Sequence, residues 1–202
     1  MYTKRKNHYL TFVLAFLLGA LGIFSPQIIQ AEPTLVASEE STATVIFEGG
    51  DITLDQVVAF NFGTHAIAGT IQKHDSTDED AVIQISDLRG TAEGWDLNVS
   101  LSAFTLTGNS TTLNGAYIEI SDVLIAGVNG TVGNAPAFNA DETLQVDADE
   151  TETSILKAEV GDGSGVWSAK WSASDAKLVV PPGSAQEGTY TADLTWSLQS
   201  TP

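Results

Sequence analysis

Two stretches in which apolar and polar residues strictly alternate constrain the fold of this chain most strongly. In the first, Trp95, Leu97, Val99 and Leu101 alternate with polar residues. In the second, residues 190–198, every other position is apolar, in the order Tyr, Ala, Leu, Trp, Leu. In a β-strand, successive side chains point to opposite faces, so a period of two puts all the apolar side chains on one face. Each stretch therefore predicts a strand with one buried and one wet face.

Shorter β-prone runs fill most of the chain between and around these two strands. They predict further strands at residues 43–47, 52–54, 57–62, 81–88, 103–107, 116–120, 123–126, 143–146, 166–171 and 177–180. Gly-rich and Asn-Gly turns separate the runs, and residues 151–159 offer at most one short helical turn. The sequence therefore predicts an all-β fold, a single β-sandwich or barrel-like domain of many short antiparallel strands over residues 43–202.

Residues 1–31 have the order of features of a secretory signal peptide. Lys4, Arg5 and Lys6 precede the apolar run 11–24, a Ser25-Pro26 break follows, and Ala31 provides a small residue before the expected cleavage site. An uncleaved anchor is the alternative, but the apolar run is shorter than the roughly 20 residues of a spanning helix. We expect an extracellular chain with no membrane span after cleavage, in which the polar residues 32–42 form a disordered lead-in.

The charge of the exported part limits its partners. After cleavage it would keep five basic residues and all 26 acidic ones, hence a formal charge of −21. Such a charge repels phosphate backbones and anionic lipid surfaces, which argues against nucleic acid as a partner. The chain contains no Cys, so its stability must come from an unaided hydrophobic core. An exported protein without Cys also fits a Gram-positive bacterium.

The sequence offers little material for catalysis or metal binding. After residue 31 the chain has two histidines, His65 and His74, both of which we predict to be solvated loop residues, and it has no Gly-x-Ser-x-Gly elbow. The acidic runs at 75–80 and 147–152 do not match an EF-hand, so each is more simply a solvated charge run. We therefore predict no enzyme activity, no metal site and no cofactor.

The motif Trp-x-Leu occurs once in each of the two clearest strands. Trp95-Asp96-Leu97 and Trp196-Ser197-Leu198 each place Trp and Leu on the same strand face. These residues could simply be core residues, because large apolar side chains usually are. A tryptophan pair at a sheet edge or groove would also suit recognition, because an indole joins an apolar ring to a polar N–H. The sequence leaves both interpretations open.

With their flanks, residues 90–100 and 188–198, these motifs resemble the two signatures of the WxL domain. This is a family of cell-surface domains from low-GC Gram-positive bacteria. The similarity extends from residues 45–47 and 51–54 through Asn61-Phe62-Gly63 and residues 178–182 to the end of the chain. Two such motifs in these flanks are a specific signal, whereas one alone would carry no weight.

The resemblance implies non-covalent attachment at the cell wall or cell surface, with peptidoglycan as the ligand. It makes Trp95, Leu97, Trp196 and Leu198 the suspected binding residues, either on the binding surface or in the scaffold that shapes it. It also implies a membrane-anchored WxL-interacting protein and other WxL proteins as partners. The alternative function is therefore a subunit of a surface complex whose main ligand is that interacting protein. The sequence lacks a sortase-type Leu-Pro-x-Thr-Gly signal, which agrees with non-covalent attachment.

Overall fold

The structure, a computed structural model, describes residues 37–201. The predicted signal peptide, its cleavage site and the first residues of the lead-in lie outside the described residues. Residues from 45 onward form one compact unit, which contains every strand of residues 37–201. Among the described residues the only helical element is a 3-10 turn at Ala173–Asp175. None of those residues forms a helix with the length and hydropathy that crossing a membrane requires.

Within residues 37–201, fourteen strands form four sheets in which all strand pairs are antiparallel. The first sheet has the order β1 (Ile52–Gln56), β3 (Ala81–Asp87), β11 (Gly165–Trp171) and β7 (Leu124–Gly127). The second has the order β14 (Leu194–Ser200), β4 (Trp95–Leu101), β10 (Thr153–Ala158) and β8 (Ala137–Phe138). The third has the order β2 (Gln72–Asp75), β12 (Ala176–Val180), β6 (Tyr117–Ser121) and β9 (Thr143–Asp147). A small fourth sheet joins β13 (Tyr190–Thr191) to β5 (Thr105–Leu106).

The predicted all-β fold is confirmed, and among the described residues no sheet closes into a barrel. Alternation explains how the sheets bury their apolar faces. In β4 the four alternating apolar side chains are at most 1% exposed, whereas the polar residues between them are half-buried. Strands β3 and β6 repeat this pattern. Most of the buried side chains of the first three sheets belong to a single hydrophobic core.

Three predicted elements are wrong. Residues 43–47 and 57–62 lie outside the strands. Residues 45–47 have no paired neighbour among the described strands, whereas residues 57–62 pack Val58, Phe60 and Phe62 on the core from an irregular segment. Residues 151–159 contain strand β10 instead of a helical turn. A register shift between Ser154 and Leu156 interrupts the period of two there, which hides the strand in the sequence.

The structure also divides one predicted strand and, besides β10, adds two. The run 190–198 becomes β13 and β14, because the two halves pair with different strands, β5 and β4. Strands β2 and β8 were not predicted, because they are short and lack a clear alternation. His74 therefore lies in strand β2 rather than in a loop, and the prediction of a loop position is wrong for that residue.

Candidate functional site

The two Trp-x-Leu motifs lie side by side on the neighbouring antiparallel strands β4 and β14. Leu97 is directly opposite Leu198, while Trp95 is opposite Ser200 and Trp196 is opposite Val99. Residues that face each other across two strands project to the same side of the sheet. The fold therefore gathers all four suspected binding residues on one face of the second sheet.

Trp95 and Leu97 are completely buried, each with 0% exposure. The indole Nε1–H of Trp95 donates a hydrogen bond to the carbonyl of Gly163 at 3.2 Å. Gly163 has a φ of +70°, and a Cβ at this position would lie 2.6 Å from that same Nε1. The backbone at Gly163 therefore approaches the ring closely, and neither Trp95 nor Leu97 presents a side chain to solvent.

Trp196 and Leu198 are half-buried and pack against the core. The indole Nε1–H of Trp196 donates to the carbonyl of Val58 at 3.3 Å. Val58 begins an irregular segment whose next apolar side chains, Phe60 and Phe62, also pack on the core. Trp196 thus attaches this segment to the second sheet.

The same segment forms one wall of an open cleft with a volume of about 640 Å³. Aromatic rings are frequent in its lining, which includes Phe60, Phe62, Phe104 and Tyr190. The centroids of the Phe60 and Phe62 rings are 6.2 Å apart, with a tilt of 34°. Amide side chains lie among these rings, contributed by Asn61, Gln72 and Gln186. The cleft therefore combines apolar ring faces with polar groups that both donate and accept hydrogen bonds.

The lining of the cleft contains no Asp, Glu, Lys or Arg. Its ionisable side chains are His65, His74 and Tyr190. This absence is notable in a chain with a net charge of −18. Outside the cleft, every Lys and Arg of residues 37–201 forms an ion pair with a carboxylate: Lys73 with Glu119, Arg89 with Asp87 and Glu93, Lys157 with Glu159, Lys170 with Asp80, and Lys177 with Asp75.

The two histidines of the cleft stack on each other. Their ring centroids are 3.6 Å apart and their planes differ by 15°. The Nε2–H of His65 donates to the carbonyl of Phe62, so the stack also holds the segment that carries Phe62. Burial lowers the pKa of His74, and the neighbouring His65 lowers it further. The structure therefore favours the uncharged form of His74.

No group of three or more metal-ligating side chains converges within residues 37–201. Carboxylates of the two acidic runs instead form ion pairs or hydrogen bonds within the protein. Asp75 pairs with Lys177 at 2.7 Å, and Asp80 pairs with Lys170. In the second run, the carboxylate of Asp149 accepts a hydrogen bond from the backbone N–H of Thr151 at 3.0 Å.

None of the four residues suspected from the sequence lines the cleft. The sequence analysis missed the cleft because most of its lining comes from irregular segments, which carry no periodic signal. One signal was present: Asn61-Phe62-Gly63 belongs to the stretches that resemble the WxL family. Tyr190 also stands in the predicted terminal strand, although nothing in the sequence assigned it to a site.

The fold is all-β, and it carries an open cleft whose lining contains no Asp, Glu, Lys or Arg. The family of WxL domains, described as surface cell wall-binding domains, matches residues 27–202. Because the match covers most of the chain, this protein belongs to the WxL domain family. The predicted family is thereby confirmed, and with it a wall-binding role at the cell surface. Neither curated proteins nor solved structures gave a significant match.

Proposed function

We propose that this chain binds peptidoglycan non-covalently and that the cleft is the surface that contacts the glycan. The uncharged lining carries this proposal. Peptidoglycan strands consist of amino sugars whose hydroxyl and N-acetyl groups are neutral, and sugar rings present apolar faces that stack on aromatic side chains. The lining of the cleft includes the rings of three Phe and one Tyr, of which Phe104 is buried, together with three side-chain amides. Its volume of about 640 Å³ falls within the roughly 300–1,000 Å³ of small-ligand sites.

Charge favours the glycan over the anionic polymers of a Gram-positive wall. Teichoic acids are polymers of polyols joined by anionic phosphodiester groups, and such groups are repelled by a chain with a net charge of −18. Because each Lys and Arg of residues 37–201 already pairs with a carboxylate, a phosphate would find no unpaired Lys or Arg in that part of the chain. A neutral sugar needs no such cation.

In this proposal the paired motifs position the cleft instead of contacting the ligand. Trp196 holds Val58 and thereby the segment with Phe60 and Phe62. Trp95, Leu97 and Leu198 pack the sheet on which that segment rests. We propose that Trp95, Leu97, Trp196 and Leu198 form the scaffold of the binding surface, which is one of the two roles that the sequence left open.

Binding to purified sacculi stripped of teichoic acid tests this function. The wild-type chain should sediment with the sacculi and should release no soluble fragments, because we propose binding without a chemical step. The variant Phe62→Ala should reduce the bound fraction about tenfold, since it removes a ring that stacks on the sugar. Circular dichroism should establish that each variant is folded.

Ala66→Trp provides a second variant, because Ala66 is an exposed residue of the lining. A bulky ring there should block the cleft without disturbing the core. Val132→Trp is the matched control, since Val132 is 87% exposed and does not line the cleft. Full binding by both cleft variants would contradict the proposed surface, and absence of wild-type binding would contradict the ligand. The membrane-anchored WxL-interacting protein and the cleaved signal peptide stay predictions.

A further inference from the structure

Strand β14 is an edge strand of the second sheet. It pairs with β4 on one side, and no strand of residues 37–201 pairs with its other side. Its seven residues, Leu-Thr-Trp-Ser-Leu-Gln-Ser, include no charge and no proline, and its register against β4 has no bulge. Exposed edge strands usually contain a charged residue, a proline or a bulge, because their unpaired backbone N–H and C=O groups would otherwise recruit further strands.

The other edges of the three large sheets are protected or short. Strand β1 contains Asp55 and a register shift, β2 contains Lys73 and Asp75, and β9 ends at Asp147. Strands β7 and β8 have four and two residues. In a chain with 26 acidic residues, an edge of seven residues without any charge is exceptional.

Residues 45–47 provide a matching segment without a partner. Val45, Ile46 and Phe47 are 71%, 83% and 88% exposed. Their side chains are β-branched or aromatic, the types that strands favour, yet none of the described strands pairs with them. A single exposed apolar residue is ordinary, whereas a consecutive run of three indicates a surface that another molecule covers.

The segment and the free edge start from the same end of the domain. The backbone N–H of Gly50 donates to the carbonyl of Leu88 at 2.8 Å. The next residue, Arg89, donates through Nη1 to the hydroxyl of Ser200, the last residue of β14. Residues 45–47 therefore leave the fold beside the Ser200 end of the free edge.

We propose that residues 45–47 of one copy add as a strand to the free edge of β14 in a second copy, and that the exchange is reciprocal. Donor and acceptor lie at the same end of each molecule, so one partner can engage both, which gives a closed two-fold dimer. Pairing within a single copy is disfavoured, because residues 45–47 would run parallel to their own β14. All strand pairs of this domain are antiparallel, and parallel pairing is slightly less stable.

Charge gives the dimer a characteristic salt dependence. Two copies that each carry a large negative charge repel one another, and added salt screens this repulsion. The contact itself consists of uncharged side chains and backbone hydrogen bonds, which salt does not weaken. The dimer should therefore become more stable as the salt concentration rises, the reverse of an assembly held by ion pairs.

Sedimentation equilibrium of the full secreted chain tests the proposal at low and high salt. Ile46→Asp should raise the dissociation constant of the dimer at least about tenfold, because it places a carboxylate against the strand edge. Thr195→Lys should also raise this dissociation constant, because it places a charge on β14, the strand that accepts the segment, where Thr195 is exposed. Two matched controls, Val132→Asp in an exposed loop and Thr143→Lys on the β9 edge, should change it less than about twofold.

A synthetic peptide of residues 42–48 gives an independent measurement. It should dissociate the dimer, whereas the same peptide with Ile46→Asp should not. A monomer at every concentration and salt level would overturn the proposal, as would a dimer that Ile46→Asp leaves intact. Peptide binding to a chain that stays monomeric would show that the edge accepts a different partner, which also overturns the second copy as its occupant. Sacculus binding is a separate readout, so failure of the dimer leaves wall binding unaffected.

Discussion

Leu97 on β4 lies directly opposite Leu198 on β14, so the two Trp-x-Leu motifs meet at their leucines. Because the strands are antiparallel, Trp95 and Trp196 lie toward opposite ends of this contact. Each indole donates to the backbone of a distant segment, Trp95 to Gly163 and Trp196 to Val58. The repeated motif thus has a structural meaning: two neighbouring strands each fasten one irregular segment to the sheet.

The close approach of Gly163 to Trp95 predicts a specific effect of an added methyl group. Gly163→Ala should lower the free energy of unfolding by about 1–3 kcal/mol more than Gly161→Ala does. Both glycines have positive φ, +70° and +96°, so both variants strain the backbone. At Gly163 a Cβ would lie 2.5 Å from the Ala158 Cβ and 2.6 Å from the Trp95 Nε1, while at Gly161 nothing lies within 4 Å. Urea unfolding measures the difference, and equal effects would contradict this packing.

Two buried tryptophans differ in whether the indole N–H has a partner. Trp95 and Trp171 are both 0% exposed, but only Trp95 donates to a carbonyl, whereas the Trp171 Nε1 has no partner among the described residues. Replacement of either residue by Phe removes a similar volume. Trp95→Phe should therefore cost about 1–3 kcal/mol more than Trp171→Phe, because it leaves the Gly163 carbonyl unsatisfied. Denaturant unfolding of both variants measures this, and a larger cost at Trp171 would contradict it.

The stacked histidines predict a pH dependence of stability. Burial and His65 lower the pKa of His74 below the ordinary 6.5, so the folded state binds fewer protons than the unfolded state. This contribution is fully present above pH 6.5 and is lost as the pH falls through the folded pKa. The free energy of unfolding should therefore decrease as the pH drops from 7 to about 5.

His74→Gln is the control for this pH dependence. The variant should flatten the decrease in that range, and His65→Gln should reduce it, because it removes the neighbouring imidazole. If His74→Gln retained the full slope, the decrease would have to come from other groups, and the explanation through the stack would be wrong.

Arg89 predicts a second electrostatic effect, because it neutralises a buried carboxylate. Asp87 is 3% exposed, and the hydrogen bond from Arg89 lowers its pKa below 3.8. Arg89→Met should destabilise the fold by about 3–5 kcal/mol at neutral pH, since it leaves this charge unpaired. The stability that a lowered carboxyl pKa contributes is fully present above pH 3.8, and it is lost as the pH falls through the folded-state pKa. The difference from wild type should accordingly shrink in acid, and urea unfolding at pH 7 and below 3.8 checks this.

The strands that were easiest to predict from the sequence are those in which apolar and polar residues alternate. Strand β4 was evident because four buried side chains alternate without interruption. Strand β10 was not, because the register shift at Ser154 to Leu156 breaks the period. The apolar run before Gly49 looked like a strand, but strand formation also needs a neighbour, and residues 45–47 find none among the described strands.

The candidate site was harder to predict than the fold for a related reason. Trp-x-Leu is visible locally, whereas the cleft combines Phe62, His74 and Tyr190 from separate segments. Their proximity depends on β2 pairing with β12 and β13 pairing with β5, which no local pattern shows. The motif identified the family, while the tertiary structure was needed to find the surface.

The central claim is that the cleft, and not the Trp-x-Leu side chains, contacts the glycan. Titration of isotopically labelled protein with soluble peptidoglycan fragments, followed by NMR, tests this most directly. The account predicts that the largest chemical-shift changes lie at Phe62, His65, His74 and Tyr190, with a small change at the buried Trp95 indole. Large changes confined to residues outside the cleft, with none at these four residues, would contradict it.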